Sequence, residues 1–94
     1  MDTLKAKLTP IQNGLLATAA LLDRLAAQEL PERAATEAAA GFMAMYVRDH
    51  NVTPELQDVA CALNDLVYGL IDLDIVGPRR AALLAQRLRA EAGS

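Results

Sequence analysis

A chain of 94 residues, 53% hydrophobic and 22% charged with a net charge of −3, has room for one domain and one modest core. Nineteen alanines and sixteen leucines outweigh nine Gly and Pro, a mixture that favours helix and opposes an extended disordered state. The single Cys excludes an intrachain disulfide and a zinc site built on several thiolates.

The chain opens Met1-Asp2-Thr3-Leu4-Lys5-Ala6-Lys7, with no apolar run behind its lysines to serve as a secretory signal. Residues 2–8 are expected to add a short N-terminal turn. Thr9-Pro10 reads as an N-cap followed by proline at the first helical position, and predicts a helix over about 9–29. Leu30-Pro31-Glu32 ends that helix and opens a second, over about 31–49. Thr53-Pro54 repeats the opening signature and predicts a third over about 53–75, and Gly77-Pro78 leads into a fourth over about 78–92. Nothing alternates with period two for long enough to make a strand. The expected fold is all-α, a compact bundle of four helices in a single domain spanning 1–94. No window holds eighteen uninterrupted apolar residues, so a cytoplasmic protein without membrane contact is expected. Seven Arg against two Lys, with the alanine content, suggest a GC-rich bacterial or phage genome.

Helical periodicity assigns the faces. The first helix is expected to bury Leu8, Ile11, Leu15, Leu22, Leu25 and Ala26, leaving Leu16 on its polar side. In the third, Leu56, Val59, Ala60, Leu63, Leu66, Val67, Leu70, Ile71 and Leu73 share one face, with Cys61 partly buried at its flank. The fourth buries Ala81, Leu84, Ala85 and Leu88 and leaves Leu83 outside. The second helix is apolar nearly all round, with only Arg33, Glu37 and Arg48 defining a polar strip. Such a helix must be surrounded, and four short helices rarely enclose one of their number. A homodimer is therefore expected, with Ala38, Phe42, Met45 and Tyr46 as candidate self-association residues.

Charge divides the chain into an acidic third helix, residues 53–76 summing to −5, and a basic tail, residues 77–94 summing to +3. One reading is a helix hairpin whose flanks exchange weak ion pairs. The other is that Asp58, Asp65 and Asp72, about 10 Å apart along the helix, bind a basic protein partner with Tyr68 beside them. Arg79, Arg80, Arg87 and Arg89 form the candidate basic patch. They lack interleaved aromatics, and the third helix has no cation to offer a phosphate, so direct nucleic-acid binding is disfavoured.

Catalytic chemistry finds few residues to work with. Ser94 is terminal, Cys61 lies mid-helix, and His50 reads as a cap on the second helix rather than a base. No metal-ligand or phosphate-loop motif occurs, so neither cofactor nor metal is expected. The expectation is a non-enzymatic protein-binding or regulatory module, one that modulates a larger host protein. A nucleic-acid-linked regulator using the arginines and a small ligand-binding bundle are the alternatives.

Overall fold

Thr9 caps the first helix, α1 (Pro10–Ala26), through a complete capping box. Its hydroxyl accepts from the Gln12 backbone N–H at 3.0 Å, and the Gln12 side-chain Oε1 accepts from the Thr9 N–H at 2.9 Å. The computed structural model, which describes residues 8–68 and 77–93, continues with α2 (Arg33–Asp49), α3 (Pro54–Val67) and α4 (Pro78–Ala92). The protein is an all-α four-helix bundle, with no strand among the described residues. The expected N-terminal turn falls almost wholly outside those residues, as do Leu70, Ile71, Asp72 and the end of the expected third helix.

Two helix ends differ from the sequence-based expectation. α1 stops at Ala26 rather than near residue 29, because the chain turns there through a Schellman motif. The Glu29 N–H donates to the Arg24 carbonyl at 2.9 Å, the Gln28 N–H to Leu25 at 2.9 Å, and Gln28 takes a left-handed φ of 63°. Glycine or asparagine ordinarily marks this position; a glutamine hides it. α2 begins at Arg33, two residues later than expected, with Glu32 as its N-cap.

The helices associate as two close pairs, α1 with α4 and α2 with α3, while α1–α2 and α3–α4 touch less extensively. The core draws Leu15, Ala19, Leu22 and Leu25 from α1 and Ala39, Met43 and Tyr46 from α2. α3 adds Leu56, Val59 and Leu63, and α4 adds Ala81, Leu84, Ala85 and Leu88. Thr18 and Thr36 are buried too, and each hydroxyl donates to the carbonyl four residues back, so neither is left without a partner. At the α1–α4 seam the Gln12 amide donates to the Ala92 carbonyl at 3.0 Å, and Arg89 is salt-bridged to Asp23.

Several expected burials are corrected. Leu8 and Ile11 are 46% and 43% exposed; they lie at the N-terminal end of α1, where Gln12 meets the last turn of α4. Leu16 is half-buried, and Leu21, which was not expected inside, is buried. Cys61 is exposed, turned away from the Leu56–Leu63 face by its place on the helix. The α3–α4 hairpin reading is corrected in its packing, though not in its ion pairing. α4 packs chiefly on α1, and one ion pair, Arg80 to Asp58 at 3.0 Å, joins its arginines to α3.

Candidate functional site

α2 buries one side only. At about 100° per residue, Met43 marks its inward line, and Ala34, Ala38, Gly41 and Met45 fall on the opposite side within about 60° of one another. All four are exposed, Met45 by 51%. A surface helix ordinarily presents polar residues along this line. The expected surplus of apolar surface on this helix is therefore real in the single chain.

Beside that face lies a groove of about 460 Å³ between α1 and α2. Gly14, Ala17 and Leu21 form one wall, Ala35, Ala38 and Phe42 the other. The groove exists because α1 and α2 touch less closely than α1 and α4, and because small side chains cannot fill the space between them. Phe42 pins one end: a Cβ on Gly14 would lie only 2.3 Å from its ring, so the ring sits against the glycine backbone. Arg24, which pairs with Glu29 at 3.5 Å, is the one charged residue in the lining.

The four candidate self-association residues separate here. Ala38 and Phe42 line the groove and Met45 stands on the exposed face. Tyr46 does not join them, and its expected role is corrected. It is only 7% exposed, its hydroxyl donates to the Glu91 carboxylate on α4 at 2.5 Å, and its ring stacks between Phe42 and His50. Burial, followed by the Glu91 carboxylate, pushes its phenol up to about 12. Tyr46 is thus a strut between α2 and α4. His50 ends α2 as the sequence suggested, its Nδ1 3.1 Å from the Tyr46 carbonyl oxygen.

The acidic stripe is not brought together as a free surface. Asp58 accepts from Arg80, Asp65 is half-buried, and Asp72 lies outside the described residues. Tyr68 is 69% exposed at the end of α3, near Leu30 and Pro31. The four arginines are likewise dispersed. Arg80 and Arg89 are committed to carboxylates on different helices. Arg87 lies beside Glu55, whose carboxyl is held below its ordinary value by its own backbone N–H, then by the Thr53 hydroxyl, with Arg87 and Arg80 contributing less. Arg79 is exposed on the first turn of α4. No group of three or more potential metal ligands occurs among the described residues, and none of the described helices is long and apolar enough to cross a membrane.

No family model, no curated protein and no solved structure matches the chain.

Proposed function

We propose that the protein is a small, non-enzymatic, protein-binding module that works through helix faces and self-associates through α2. The observation that carries this reading is the outward line of Ala34, Ala38, Gly41 and Met45, lying beside an apolar groove. Apolar surface left in water on one side of a helix is stabilised by covering it, at about 25 cal/mol for each Å² removed from water. A protein partner suits this site better than nucleic acid, because the groove carries a single arginine already paired with Glu29. Regulation of a larger host protein is part of the same proposal, with the exposed remainder of α3 as the second contact surface.

Light scattering on a size-exclusion column, across a dilution series, tests the self-association. A mass twice the 10.0 kDa chain is expected, and Ala38→Glu is expected to return it to the single-chain value with unchanged helical circular dichroism. A folded wild-type chain that stays at 10.0 kDa at every concentration overturns the proposal.

A second reading, a bundle that binds a small apolar ligand, is favoured by the groove volume of about 460 Å³, which falls in the range of ligand pockets. An apolar fluorophore saturating at one per chain, and lost in Phe42→Asp with the fold intact, would support that reading. Unsaturable or absent binding removes it.

A further inference from the structure

The groove between α1 and α2 is apolar along its length and charged at one end. Gly14 and Arg24, which bound it on α1, are ten residues apart, about 15 Å along the helix. At the Gly14 end the Phe42 ring sits against the backbone and closes the channel. Thr18 supplies the one hydroxyl of the lining and donates it to the Gly14 carbonyl at 2.9 Å, so it asks nothing of an occupant. Resting on the ligand-binding reading, we infer that the groove takes a free medium-chain fatty acid, its carboxylate at Arg24 and its methyl end against Phe42.

Shape selects a single chain. Spread over about 15 Å, a volume of about 460 Å³ leaves a mean cross-section of about 30 Å². That admits one alkyl chain and falls well short of a helix, which is about 10 Å across with its side chains. With C–C bonds of about 1.5 Å, an extended chain of about twelve carbons spans the channel. Charge selects the head group and the end it occupies. Arg24 is the only charged residue in the lining, so a carboxylate meets a cation there and none at the Phe42 end. Beyond Phe42 the next charges along α2, Arg48 and Asp49, are bonded to each other at 3.0 Å. Glu29 is the competitor for Arg24. Its Oε1 approaches the Arg24 Nε only to 3.5 Å, with both side chains exposed, and that is longer than a charge-assisted hydrogen bond. Such a pair has little energetic weight, and a ligand carboxylate seated on the guanidinium fork makes two bonds in its place.

Titration calorimetry on the full chain tests this, with decanoate and decanol as matched probes below the concentrations at which they aggregate. Decanoate is expected to saturate at one per chain. Arg24→Gln is expected to weaken decanoate about fivefold and to leave decanol unchanged. Glu29→Gln removes the competing carboxylate and is expected to tighten decanoate about twofold. From octanoate to dodecanoate each added methylene should tighten binding by up to about fourfold, with no further gain for tetradecanoate. Decanoate and decanol both bound, and neither affected by Arg24→Gln or Glu29→Gln, overturns the carboxylate at Arg24 and leaves the apolar-ligand reading standing. Affinity still climbing at tetradecanoate overturns the stop at Phe42. Saturation by neither probe, from a chain with intact helical circular dichroism, overturns the inference together with the reading beneath it.

Discussion

The two sides of α1 are both apolar and meet opposite fates. Toward α4, Leu15, Leu22 and Leu25 pack in a core that includes Ala81, Leu84, Ala85 and Leu88, all nearly inaccessible, and Gln12 and Asp23 fasten the seam from outside. Toward α2, Gly14, Ala17 and Leu21 face Ala35, Ala38 and Phe42 across an open groove. The difference lies in what stands opposite alanine. An alanine facing leucines allows close packing. Alanine facing alanine leaves a channel that neither helix can fill. Alanine-rich composition is thus compatible with both a sealed seam and an exposed one, and the pairing of large with small decides between them.

The largest expected effect tests the sealed seam. Leu88→Ala should cost about 2–5 kcal/mol of unfolding free energy in urea denaturation, whereas Met45→Ala, on the open face, should cost the folded monomer under about 0.5 kcal/mol. Equal losses would dissolve the contrast. Next is Gly14→Ala, at the one point where Phe42 closes the groove. The displaced ring should cost about 1–3 kcal/mol, and a neutral result would mean the ring swings aside freely.

Tyr46→Phe follows, with a loss of about 1–2 kcal/mol at neutral pH from the missing bond to Glu91. Its sign with pH is specific. The folded phenol titrates near 12 against 10.0 for the unfolded one, so its contribution is complete below pH 10 and lost as pH rises toward 12. Thermal melts from pH 8 to 12 should show this part of the decline in the wild type and not in the phenylalanine variant. The smallest effect is a gain: Gln28→Gly relieves a left-handed residue and should add up to about 1 kcal/mol. A loss instead would show that the Gln28 side chain supports the turn.

What was legible in the sequence was whatever leaves a local mark. Thr9-Pro10, Thr53-Pro54 and Gly77-Pro78 announce three helix starts within a residue, because caps and prolines act on the adjacent backbone. The buried face of α4 was readable because leucines and arginines alternate with the helical period. α2 resisted. With alanine at nearly every angle its amphipathic signal is flat, so the surplus of apolar surface was visible and its direction was not. Tyr46 is the instructive case: the same aromatic that suggested an exposed anchor is held inside by Glu91, forty-five residues away. Arg80–Asp58 and Arg89–Asp23 are likewise long-range, 22 and 66 residues apart along the chain, which is why four arginines close in sequence do not make one patch. Gln28 hid the end of α1 by occupying a glycine's place.

Gln12 uses both ends of its amide, the oxygen on the Thr9 N–H of its own helix and the nitrogen on the Ala92 carbonyl of α4. The first turn of one helix and the last turn of another therefore hang on one side chain, and they should fray as a unit. In hydrogen exchange, the amides of Asn13 and Gly93, bonded to Thr9 and Arg89, should open together and lose protection together in Gln12→Ala. Residues eighty positions apart in the sequence would then behave as a single local breathing motion, with its own free energy below that of global unfolding.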